Sequence, residues 1–135
     1  MAVIILSRII DQMVQHARRE EPLECCGLLA GRSNKVDEIV CCSNETMSEV
    51  EFSGPPHELF DAFRQIRRHG KKLLGIYHSH PRTQAVPSEK DRNEYHYHDV
   101  SYWIVSLQNR SPVVRCFRWE VNTFQETQFQ VLTNH

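Results

Sequence analysis

Residues 73–91 read LLGIYHSHPRTQAVPSEKD, and the rest of the chain is understood from this stretch outward. An apolar run ends in His78-Ser79-His80-Pro81. Side chains two apart on a strand share a face, so His78 and His80 can aim two imidazoles at one point. Pro81 ends the strand because it has no N–H to give to a ladder. Ser88-Glu89-Lys90-Asp91 reads as a helix start, with Ser88 as N-cap and Asp91 in the first turn. If the intervening loop folds back, Asp91 completes a His/His/Asp set. Two imidazoles, one carboxylate and an open fourth position are what a catalytic zinc ion needs. A His-x-His pair alone is more often two surface histidines, and a Ser-x-x-Asp more often only a cap. The conjunction of apolar strand, His-x-His-Pro, loop and Ser-x-x-Asp carries the reading.

At 135 residues the chain is long enough for one domain with a real core, taken here as residues 1–135. Its formal net charge is −1, which disfavours a nucleic-acid surface. The apolar stretch Ala2 to Leu6 is cut off by Ser7-Arg8, too short for a signal peptide or a membrane span, so a cytoplasmic protein is expected. The five cysteines are odd in number, which argues against a disulfide framework. Adjacent strand residues point to opposite faces, so Cys25-Cys26 and Cys41-Cys42 chelate poorly. They and Cys116 read as small buried strand residues.

Val3 to Leu6 is a short strand, followed by a helix from Ser7 to about Glu20. Ser7 is its expected cap, and Ile9, Ile10, Met13, Val14 and Ala17 form its apolar stripe. Glu24 to Gly31 reads as a buried strand with Gly27 inside it, and Val36 to Cys42 as its hairpin partner. Glu24 stands at the strand entrance, where a lone glutamate is ordinarily solvated. Residues 44–53 are either a substrate-facing segment or a plain connector. After Gly54-Pro55-Pro56, His57 to His69 reads as a helix burying Leu59, Phe60, Phe63 and Ile66, with Gly70 as its stop. Lys72 to His80 lacks alternation, as a central strand should. A third helix is expected from Ser88 to about His96. The second His-x-His, at His96 and His98, follows that helix and is read as a decoy. Tyr102–Leu107, Val113–Trp119 and about Phe124–Leu132 are three further strands. Helices interleaved with strands give an α/β fold, a mixed, largely antiparallel sheet sandwiched by helices.

His78-x-His80-Pro81, six residues, then Ser88-x-x-Asp91 resembles the full motif of the JAMM (MPN-plus) zinc metalloproteases. Glu24-Cys25-Cys26-Gly27 fits that family's upstream glutamate before a Cys-Gly, with one cysteine more than the pattern. The resemblance implies an MPN-like fold with cytidine-deaminase-like layering. It also implies one Zn²⁺ on His78, His80 and Asp91, Glu24 as general base, and Ser88 as donor to a developing oxyanion. Capping and oxyanion donation compete for the one Ser88 hydroxyl. The short standalone prokaryotic members cut a peptide or isopeptide bond at the C-terminal Gly-Gly tail of a ubiquitin-like or sulfur-carrier protein. Such a tail is expected to add along a sheet edge, at the strand nearest Glu24. The competing readings are a non-catalytic MPN scaffold, which usually lacks a ligand, and a DNA-repair-type relative, for which the charge balance is wrong. No membrane partner is expected, and the oligomeric state stays open.

Overall fold

The computed structural model describes residues 2–50, 52–89, 91 and 99–133. Along the chain these form β1 (Val3–Leu6), α1 (Ser7–Glu20), β2 (Cys26–Arg32), β3 (Lys35–Cys42), α2 (Pro56–Arg68) and β4 (Lys72–His80). β5 (Ser101–Ser106), β6 (Val113–Glu120), β7 (Thr123–Thr127) and β8 (Phe129–Leu132) follow. All but Ser88, Glu89 and Asp91 of the expected third helix, and both histidines of the second His-x-His, lie outside the described residues.

The strands make one sheet in the order β7-β6-β5-β4-β2-β3-β1-β8. The β2–β3, β2–β4, β5–β6 and β6–β7 pairs are antiparallel, whereas β1–β3, β1–β8 and β4–β5 are parallel. This is the mixed, mostly antiparallel sheet that the sequence implies. Its two ends, β7 and β8, are separated in sequence by Gln128 alone, so the sheet must curl until they approach. What reads as one last strand is therefore two, one pairing with β6 and the other with β1. In β8 Phe129 turns inward onto the Trp103 ring, 4.8 Å away, while Val131 is left about half exposed.

The helices cover opposite faces. Ile9, Met13 and Ala17 of α1 pack on Cys25, Leu29, Tyr77, Trp103 and Val105. Ala62 and Ile66 of α2 pack on Leu28 and Ala30, with Leu59, Phe63 and Ile76 around them. Phe60 does not join that face: it sits one residue off the 59-62-63-66 stripe, 62% exposed, beneath the Arg64 guanidinium. Ser7 is not the cap of α1; Leu6 holds that position without a side-chain bond, because β1 runs straight into the helix. Gly70, at φ 69°, ends α2 as expected. Cys25, Cys42 and Cys116 are buried, but Cys41 is exposed, contrary to its reading as a core residue. Burial pushes the thiols of Cys25, Cys42 and Cys116 up to about 12.

β2 is flanked by β4 and β3 and offers no free edge, so the expected docking of a tail onto that strand does not hold. Two hydrophobic runs closed by paired neighbours leave β2 nothing to donate. Gly27 has a different use. A Cβ at Gly27 would fall inside the Tyr77 ring, which crosses the sheet there to meet His16 on α1. Gly27→Ala should therefore destabilise by about 1–3 kcal/mol through overpacking, read as a lowered urea midpoint at unchanged slope. Gly54→Ala, whose Cβ would meet the Phe52 ring at 3.1 Å rather than 2.4 Å, should cost less than Gly27→Ala.

Candidate metal centre

The register of β2 on β4 builds the site. Cys26 lies opposite His78, and Gly27 opposite Tyr77. One step further, Ser79 N–H donates to the Cys25 carbonyl at 3.0 Å, and Cys25 N–H donates to Ser79 Oγ at 2.8 Å. Ser79 is fully buried, so these bonds pin the two strands just where β2 begins. The pairing sets Cys26 on the same face as His78 and His80. Glu24 sits two residues ahead of β2, half-buried, and its charge is felt at His80.

His78 and His80 are each 5% exposed. Their Nε2 atoms are 2.8 Å apart. Asp91 Oδ2 lies 3.4 Å from the first and 3.3 Å from the second. A tetrahedral ion with bonds of about 2.0–2.1 Å places its ligand atoms about 3.3 Å apart. Both His–Asp edges fit, and the His–His edge needs to open by about half an ångström. These three form the one group of metal-ligating side chains that comes together among the described residues.

Each imidazole has a polar neighbour besides the other two members of the set. His80 Nδ1 lies 2.7 Å from the Gln84 carbonyl, which can only accept, so Nδ1 carries the hydrogen and Nε2 presents its lone pair. His78 Nδ1 lies 2.5 Å from the Tyr102 hydroxyl. The 81–88 loop that supplies Gln84 is itself tied down, with Ser106 Oγ donating to the Thr83 carbonyl and Leu107 N–H to the His80 carbonyl. The loop thus folds back as the Ser-x-x-Asp spacing requires. Ser88 N–H donates to Asp91 Oδ2 at 2.8 Å, and Asp91 N–H donates to Ser88 Oγ at 3.0 Å, a reciprocal cap.

Burial alone would raise the Asp91 pKa. Hydrogen bonds from His78 and His80, and then the Ser88 N–H, outweigh it and hold the carboxyl far below its usual range. For His80 burial works to lower the pKa, but the Asp91 carboxylate and the Gln84 carbonyl prevail and raise it.

Three contributors escape a sequence reading: the Gln84 carbonyl, Tyr102 and Asn44. Asn44 Nδ2 donates to the carbonyls of Glu24 and Ser48, while its Oδ1 accepts from Thr46 Oγ1 and Met47 N–H. It ties the 44–53 loop to the backbone of Glu24. A polar residue after a strand is the only local signal for it. Arg82 and Glu49, 3.6 Å apart, link the same loop to the one after β4.

The sequence profile of the prokaryotic homologues of the JAB domain matches residues 6–121. A protein of Thermus thermophilus named as a probable TtuB-protein conjugate cleaving protease is 36% identical over 87 residues. That match covers 64% of this chain and only 58% of the relative's length. The CysO-cysteine peptidase of Mycobacterium tuberculosis is 30% identical over 109 residues, 79% of this chain and 75% of that protein. A solution structure of a protein from Desulfitobacterium hafniense superposes with a TM-score of 0.86 at 31% identity, covering 98% of this chain and 92% of that one.

Protons and a metal ion compete for the same ring nitrogens. Because the Asp91 carboxylate and the Gln84 carbonyl raise the His80 pKa, its Nε2 holds a proton to higher pH than an ordinary imidazole does. Affinity for a divalent ion should then fall about tenfold per pH unit on going from pH 7 to 6. A chromophoric chelator titration measures this; an affinity flat across that window contradicts binding through His80.

Proposed function

The chain belongs to the family of prokaryotic homologues of the JAB domain, and on that premise we propose that it is a zinc metallopeptidase. Its proposed substrate is the peptide or isopeptide bond at the C-terminal Gly-Gly tail of a ubiquitin-like or sulfur-carrier protein. The reaction is either processing of the tail or release of an amino acid attached to it. The observation that carries this reading is the convergence of His78 Nε2, His80 Nε2 and Asp91 Oδ2 on one point, with the charge of Glu24 felt at His80.

Two neutral imidazoles and one carboxylate are a donor set of catalytic zinc sites, and they leave one position open. Zinc bound there supplies Lewis acidity to a water and to the carbonyl under attack. The remaining work falls to the chain. Glu24 takes the proton of the attacking water on its carboxylate and passes it to the nitrogen of the leaving amine. Ser88 donates to the oxygen of the tetrahedral carbon. Its two duties do not conflict: Oγ accepts the Asp91 N–H through a lone pair and keeps its own hydrogen to give. The 44–53 loop, anchored to Glu24 through Asn44, exposes Met47 and Val50 at 74% and 76%, an apolar rim on which a carrier protein can settle.

Two features support the substrate class. The relatives named above are a cleaver of TtuB–protein conjugates and a peptidase that acts on CysO-cysteine. A scaffold without catalysis would be expected to have lost a ligand, and here all three meet.

Glu24→Gln should keep stoichiometric zinc and lose turnover by about 10²–10⁴-fold. Loss of zinc with activity retained would reverse the roles given to Glu24 and to the ligands. His78→Ala should lose the metal, and with it part of the stability that binding confers. The direct assay is mass spectrometry of sulfur-carrier and ubiquitin-like proteins bearing extended or amino-acid-loaded tails, with and without this protein. Cleavage that survives complete chelation of zinc would sink the metal mechanism.

A further inference from the structure

Ser106 takes no part in the chemistry given so far, yet it holds the loop that stands behind one of the ligands. It ends β5, in register with His80 at the end of β4, and is 3% exposed. Its hydroxyl donates to the Thr83 carbonyl at 2.5 Å and accepts the Gln108 N–H at 3.2 Å. Two residues beyond Thr83, the buried Ala85 packs in one cluster with Ile104 of β5 and Phe117 of β6. The loop is thus held on both sides of Gln84, by a polar pin at 83 and an apolar one at 85. The Gln84 carbonyl is the group that meets His80 Nδ1 at 2.7 Å. It also accepts the Val86 N–H at 2.9 Å, which closes a three-residue turn and leaves a second lone pair for the imidazole.

A backbone carbonyl is only as well placed as the loop that carries it. After His80 the chain leaves the sheet, and Pro81 has no N–H to give back to it. The bond from Ser106 restores the tie two residues later, just ahead of Gln84. We infer that Ser106 is a positioning residue of the metal centre: by pinning Thr83, its hydroxyl sets the Gln84 carbonyl behind His80 and keeps Nε2 aimed at the ion. This rests on the zinc centre proposed above. The hydroxyl suits both neighbours. Its one hydrogen goes to a carbonyl, which can only accept, and a lone pair takes an N–H from the turn after β5. Alanine would break both bonds without touching a ligand. Threonine would keep both, and Ser106 borders a cavity of about 270 Å³ that can take the added methyl.

Partners behind metal ligands are worth about 10–100-fold in metal affinity when removed, and Ser106 stands one bond further out, so the low end applies. In chelator competition at fixed pH, Ser106→Ala should bind zinc about tenfold more weakly, and Ser106→Thr should stay within about threefold of wild type. Ser106→Cys, close in size but a weaker donor, should fall between them. A role confined to stability would lower the urea midpoint of Ser106→Ala and leave its zinc affinity untouched. Long-range proton–nitrogen spectra of the zinc-loaded proteins add a second readout. The His80 Nδ1 proton should exchange slowly in wild type and Ser106→Thr, and faster in Ser106→Ala. Should Ser106→Ala fail to fold, Ser106→Cys against Ser106→Thr decides on the same two readouts. Zinc affinity equal to wild type in the alanine variant, or lost as fully in the threonine variant, overturns the role of Ser106 alone. A wild-type protein that takes up no zinc overturns the metal centre and this inference together.

Discussion

The register between β2 and β4 is the constraint on which the rest of the molecule depends. With Cys26 opposite His78, the chain entering β2 is brought beside the two imidazoles, and the charge of Glu24 is felt at His80. A slip of one residue would turn the β2 side chains to their opposite faces and take Cys26 away from the imidazoles. Two features guard against the slip. The Ser79–Cys25 pair of hydrogen bonds is buried and would be lost whole, and Tyr77 can cross only above a residue without a Cβ. The same two features explain why serine stands between the histidines and glycine follows the cysteines.

The ligands are held with unequal stiffness. His78 and His80 sit on a central strand bonded on both sides, whereas Asp91 reaches the site from a turn that is secured by its own cap with Ser88. Buried polar groups in such a cluster are costly unless each has a partner, and here each has one. The Gln84 carbonyl lies behind His80, the Tyr102 hydroxyl lies against both nitrogens of His78, and the Ser88 N–H lies on the carboxylate. The site is therefore shaped before any ion is considered, which is the condition for a metal to find its geometry ready.

How much of this was legible in the sequence follows from how far each contact reaches. His78 and His80 were readable because period two is local, and Ser88 and Asp91 because a helix cap spans three residues. That the chain at Glu24 comes beside the imidazoles was not, since it depends on a pairing across 54 residues, seen in the Cys25–Ser79 bond. Tyr102 and the Gln84 carbonyl were invisible for the same reason: one is placed by strand order, the other by a backbone atom that no side-chain pattern reports. The break at Gln128 carries no glycine or proline, so two strands at opposite ends of the sheet read as one. Phe60 misled because hydrophobicity alone was counted, when its angular position on α2 puts it outside.

The tether on Glu24 and the locking of His78, His80 and Asp91 suit the different work proposed for them. A ligand must hold one geometry to within a fraction of an ångström, and the second nitrogen of His80 is tied behind it. A base must first face a water and then a departing amine, two positions that a single rigid carboxylate would serve poorly. Glu24 meets this by lying before β2 proper, half-buried, with its backbone carbonyl held by Asn44. Restraint applied to the backbone fixes where the side chain starts. The loop that supplies Asn44 also exposes Met47 and Val50, so a protein settling on that rim would press on the element that locates the base.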